Sequence, residues 1–191
     1  YADCLKHPDL CNYCAQEGID FESPEFRDNQ GNTRIQFLWD QTLTPEQVNR
    51  MLPEEAKEFA GKAAPPEGFE TGVEFDKYRI DAALRRTMPK QIVPSIDSTG
   101  HGTSVAAIAA AGGRLLEGQY QGVAPEAQLL VIKMGTPAPD SFPRTTELMR
   151  AMTYAVKKGV EMGMPLAVNL SFGNTYGSHD GTSLVERYMD N

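Results

Sequence analysis

No apolar run in this sequence approaches the ~18 residues that a membrane-crossing helix needs, which excludes a helical membrane span. Cysteine is scarce: there are three, Cys4, Cys11 and Cys14, and an odd number gathered at one end is not a disulfide framework. Cys4-x-x-His7 and Cys11-x-x-Cys14 offer soft ligands of the kind zinc prefers. The link between the pairs is too tight for a tetrahedral site, so the expectation is an irregular leader and no metal. Positive charge is also short. Eighteen Lys and Arg stand against 26 Asp and Glu, a formal charge of −8, which argues against nucleic acid as a partner. There is no basic stretch followed by an apolar one, so no secretory signal is legible and location is left open. Internal repeats and low-complexity segments are absent.

What is present is enough for a core. Hydrophobic residues make up 40% of 191, the length of one domain or a large part of one. After an irregular start, Ile35, Phe37 and Trp39 alternate with polar neighbours, as in a half-buried strand over 33–39. Thr44-Pro45-Glu46-Gln47 supplies an N-cap, a proline at the first helical position and a capping-box glutamine, so a short helix should follow. Residues 61–72, rich in proline and glycine, form a loop, and Asp76 should cap a helix reaching about Arg86.

The second half alternates strand and helix. A buried helix is expected over 101–111, a strand over 129–133 and a helix over 145–158 with Leu148, Met149, Met152, Ala155 and Val156 inward. A buried strand over 166–170 and a last helix from Ser183 follow. Apolar strands alternating with helices indicate a parallel sheet covered on both faces.

One word carries chemistry. In Gly100-His101-Gly102-Thr103-Ser104-Val105 a histidine sits between two glycines at the mouth of an Ala-rich helix. The glycines let another chain approach closely, and the positive end of a helix disfavours a charged imidazole. That is how a general base is placed. A histidine that merely closes a helix end is the other reading of the same word.

Further words follow in order: Gly122-Val123-Ala124-Pro125, Leu129 to Gly135, Ala167-Val168-Asn169-Leu170-Ser171-Phe172-Gly173 and, upstream, Gly18-Ile19-Asp20-Phe21. Over about residues 18–191 this set resembles the subtilisin-like serine proteases. Leu38-Trp39-Asp40-Gln41-Thr42, Pro66-Glu67-Gly68-Phe69 and His179-Asp180-Gly181 lie nearest to a clostridial branch that includes the germination proteases. The resemblance implies an α/β fold: a three-layer, mostly parallel sheet between helices, incomplete at the C-terminus. Residues 1–17 would be an atypical leader, 18–191 the N-terminal portion of the peptidase domain, and 41–72 a family-specific insertion.

It also implies peptide hydrolysis through an acyl-enzyme, a peptide or protein substrate and no cofactor. His101 becomes the base. Ser171, Phe172 and Gly173 become a substrate-binding strand edge, faced by Met134 and Gly135. The family's acid is expected in Asp-(Ser/Thr)-Gly-Ile-Asp, where this chain reads Gln16-Glu17-Gly18-Ile19-Asp20, so Gln16 holds the acid position. Gly102-Thr103-Ser104 belongs to the histidine word, and Gly181-Thr182-Ser183 reads as a helix start. Neither serine fits the nucleophile, and no Gly-Asn-Glu-like turn supplies an oxyanion amide. The expectation is a fragment of such a protease, missing the C-terminal half of its domain. The alternative is a catalytically dead or regulatory binding member of the same family.

Overall fold

A computed structural model describes residues 18–134, 145–171 and 180–190. They fall into two compact units, one running to Lys133 and the other formed by the residues after it. The fold is α/β, with a three-stranded sheet in the first unit and, among the described residues, none of the helices long and apolar enough to cross a membrane.

β1 (Ile35–Asp40) is central: β2 (Val73–Asp76) pairs with it antiparallel and β3 (Leu129–Lys133) parallel. The sheet is therefore mixed. The sequence pattern made β1 half-buried, yet Ile35, Leu38, Trp39 and Asp40 are all buried. A strand with neighbours on both edges and packing on both faces loses its alternation. Trp39 donates its indole N–H to Thr71 O at 3.0 Å, and its ring lies 4.8 Å from that of Phe69. The words Leu38–Thr42 and Pro66–Phe69 thus meet in space.

The local caps form as their chemistry dictates. Ahead of α1 (Pro45–Met51), Gln47 N donates to Thr44 Oγ1 and Thr44 N to Gln47 Oε1, a complete capping box. A 3₁₀ turn, Glu54–Ala56, leads into α2 (Lys57–Ala60). Asp76 caps α3 (Lys77–Leu84) by accepting from Arg79 N at 2.8 Å, and α3 packs on β1 and β2. The core gathers Ile19, Phe21, Phe26, Ile35, Leu38, Val73, Phe75, Ile80 and Val93.

α4 (His101–Ala110) differs from the wholly buried helix expected of its Ala-rich sequence. Ala106 and Ala107 pack on the core and Ala110 is buried, while Ile108, on the opposite side of the turn, is 73% exposed. The helix is one-faced. Its C-terminal carbonyls are taken by the Gly122 word: Gly122, Val123 and Ala124 donate to Ala111, Ile108 and Ala109.

In the second unit, α5 (Thr145–Met162) is four residues longer than expected and turned on its axis. Leu148, Ala151, Tyr154 and Ala155 are buried, and Val156 is exposed. Tyr154 has the largest ring on this helix, so burying it outweighs the methionine stripe. α6 (Leu184–Asp190) closes the described chain. The strand expected over 166–170 does not form: Leu166, Val168 and Leu170 are exposed and join no ladder among the described residues. An apolar run without a neighbouring strand has nothing to satisfy its backbone groups as a strand.

Candidate active site

His101 is the first residue of α4, and Gly100 before it is the N-cap, held at φ 77° where a side chain would be strained. His101 as a residue is half-buried. Its backbone N–H donates to Thr99 Oγ1 at 3.2 Å.

The turn ahead of α4 is organised by Asp97. Its Oδ1 accepts from Gly100 N at 2.9 Å and Thr99 N at 3.2 Å. Its Oδ2 accepts from Thr103 N at 2.8 Å and Thr103 Oγ1 at 2.6 Å. Burial alone would push this carboxyl up. The hydrogen bonds from Thr103, Gly100 and Thr99 outweigh it and hold Asp97 below the usual carboxylate range.

Thr103 also receives the Asp20 N–H on Oγ1 at 2.8 Å, which ties the Gly18-Ile19-Asp20 word to the histidine helix. That word approaches as closely as chains can. A Cβ on Gly18 would stand 2.5 Å from Ile96 O. Between them opens a cleft of about 280 Å³, lined in part by Asp20, Lys90, Ser95, Asp97, Gly100 and Thr103. Lys90 is paired with Glu22 at 3.3 Å.

Beneath the cleft, at the C-terminal ends of the parallel strands, lies a buried polar cluster. Ser95 Oγ donates to Asp40 Oδ2 at 2.6 Å, Thr42 N to Asp40 Oδ1 at 2.9 Å, and Lys133 Nζ to Ile96 O at 3.0 Å. The C-terminal edge of such a sheet is where α/β proteins place their sites. Asp97, Ser95 and Lys133 were not singled out in the sequence. The one available signal was an Asp-Ser-Thr-Gly turn immediately ahead of the histidine.

Of the other expected site residues, Met134 is half-buried and Ser171 exposed, its Oγ within 3.1 Å of Asn169 Nδ2. Gln16, Gly135, Phe172 and Gly173 lie outside the described residues, as do Cys4, His7, Cys11 and Cys14. The two Gly-Thr-Ser serines both serve helix starts. Ser104 Oγ donates to Gly100 O at 2.8 Å, and Ser183 exchanges bonds with Glu186 at the head of α6.

Comparison with known proteins converges on one group. A family model, the Subtilase family, matches residues 14–191. The solved structure of the Clostridium perfringens CspB protease is similar with a TM-score of 0.69 and 32% identity, over 98% of this chain and 35% of that one. The chain thus spans about a third of the length of the protease structure it matches.

Proposed function

Because the chain belongs to the subtilase family, we propose that it carries the histidine part of a serine endopeptidase site, with His101 as the general base. The observation that supports this most directly is the placement of His101: it heads α4, behind a left-handed glycine, and that glycine lines a cleft. In peptide hydrolysis the imidazole would take the proton of a serine hydroxyl as its oxygen attacks the carbonyl carbon. It would return that proton to the leaving amine, and water would then release the acyl group by the same exchange.

Ser171-Phe172-Gly173 and Met134-Gly135 are proposed to hold extended peptide by backbone hydrogen bonding. The nucleophile and the oxyanion amide are assigned to polypeptide other than residues 1–191, so these residues alone are inactive. The engagement of Ser104 with Gly100 O and of Ser183 with Glu186 supports that assignment. Two measurements test it. The protein translated from its whole reading frame should hydrolyse casein, and His101→Ala should lower that rate at least about a thousandfold. A fluorophosphonate should leave no adduct on residues 1–191; labelling at Ser104 or Ser183 would overturn the assignment.

A second reading is a pseudoprotease that binds peptide without cutting it, and Gln16 favours it. An amide can accept a hydrogen bond from imidazole but cannot stabilise imidazolium. In trypsin-type enzymes the acid-to-amide exchange lowers turnover about ten-thousand-fold. Peptide binding by the whole-frame protein without turnover would decide for this reading.

A further inference from the structure

We propose that Asp97 is the positioning residue for His101: one carboxylate ties down the turn on both sides of the histidine and so fixes the imidazole at the head of α4. The inference rests on the reading of His101 as the base, and its test is chosen to succeed or fail separately from that reading.

An N-cap side chain ordinarily accepts an N–H from the first turn of its helix. Here the N-cap is Gly100, which has no side chain to offer. Asp97, three residues earlier, does that work and more. Oδ2 takes the Thr103 amide inside α4, while Oδ1 takes the Thr99 and Gly100 amides in the turn before it. The His101 amide joins the same network through the Thr99 hydroxyl. Peptide groups on both sides of His101 therefore hang from one side chain. A cap that only stabilised the helix would not need to reach the turn.

The anchor is itself anchored. Ser95 is fixed by its 2.6 Å bond to buried Asp40, and Ile96 O by the 3.0 Å bond from Lys133 Nζ. On the other side Thr103 Oγ1, which donates to Asp97 Oδ2, accepts from Asp20 N. The path runs from the ends of β1 and β3 through residues 95–97 to the carboxylate and on to His101. A negative charge at this place is also favoured by the helix it faces. Asp20 and Lys90 are the other charged groups lining the cleft.

The test uses residues 1–191 with ¹³C-labelled histidine. The His101 ring signal is assigned by its absence in His101→Gln and compared among wild type, Asp97→Asn and Thr44→Ala, a cap loss elsewhere. Asp97→Asn should move the ring signal well beyond the change seen in Thr44→Ala. A ring signal that stays in place overturns the proposal, whatever the melting temperature does. If Asp97→Asn does not fold, Asp97→Ser carries the same comparison. In the whole-frame protein Asp97→Asn should lower kcat about ten- to a hundredfold, the loss that a small misplacement of a catalytic group brings. KM should stay within about twofold, because ground-state binding is untouched; a KM effect with kcat unchanged counts against positioning. Absence of any His101-dependent turnover would instead sink the protease reading and leave the ring signal to decide the role of Asp97.

Discussion

Asp40 and Lys133 are register partners across the parallel β1–β3 pair, both buried, with Nζ 3.6 Å from Oδ2. Two charges taken from water at the sheet edge are sustained by their neighbours: Ser95 and Thr42 donate to Asp40, and Ile96 O accepts from Lys133. Removing one partner strands the other. Asp40→Ala should cost about 3–5 kcal/mol, against a total stability of only about 5–15 kcal/mol for a domain. Lys133→Met should cost less, because Asp40 keeps three other donors, Ser95 Oγ, Thr42 N and Thr42 Oγ1. Urea midpoints with unchanged slopes check the order, and a larger loss for Lys133→Met would contradict it.

A carboxylate elsewhere does the work of a loop clamp. Glu25, nearly fully buried, accepts Gly113 N at 2.6 Å and Arg114 N at 3.1 Å on Oε2, and Leu115 N at 2.7 Å on Oε1. Both oxygens are used. An amide in its place presents one acceptor and turns an NH₂ donor toward an N–H. Glu25→Gln should therefore cost about 1–3 kcal/mol, the range for a hydrogen bond to a charged group lost in a buried site. Hydrogen exchange should accelerate first at Gly113 and Leu115. Unchanged protection there would contradict the assignment.

These clamps separate what the sequence disclosed from what it did not. The Thr44 capping box and the Asp76 cap were legible because donor and acceptor lie within three residues of each other. His101 stood out as a candidate because two glycines around a titratable ring have no packing reason. Glu25, by contrast, meets partners 88 to 90 residues away, and buried Arg79 donates to Ile92 O and Ala60 O. No local pattern announces such pairs. β2 was missed because four residues beside a glycine-rich loop carry too little periodicity. The strand expected over 166–170 was overread for the converse reason: its apolar residues were visible, but the neighbour it would need was not.

Gly18 tests how tightly the Gly18-Ile19-Asp20 word must seat. Its hydrogen stands where a methyl would lie 2.5 Å from Ile96 O and 3.2 Å from Lys133 Cδ. The carbonyl is backbone held by Lys133 Nζ, so it cannot swing aside as a side-chain end would. Gly18→Ala should cost about 1–3 kcal/mol, as overpacking does. In the whole-frame protein it should also lower turnover by disturbing residues 95–97. Full stability in thermal melts would show that the approach relaxes.

The pH dependence of stability offers a check on Asp97 that needs no substrate. Its hydrogen bonds hold it below its ordinary value of 3.8 against the opposing effect of burial. A group whose folded value is depressed contributes stability above its unfolded value and loses it as pH falls through the folded one. The stability gap between wild type and Asp97→Asn should thus be constant from neutral pH down to about pH 5, where both folded and unfolded carboxyls are ionised. Below the ordinary value the gap should narrow, as the unfolded chain takes up a proton that the folded one still refuses. The remaining side chains are common to both proteins, so their contribution cancels in the difference. Urea midpoints for the two proteins, taken at steps from pH 7 to pH 3, measure the gap directly. One that stays constant or widens toward acid would mean that the carboxylate does not hold the turn in its ionised form.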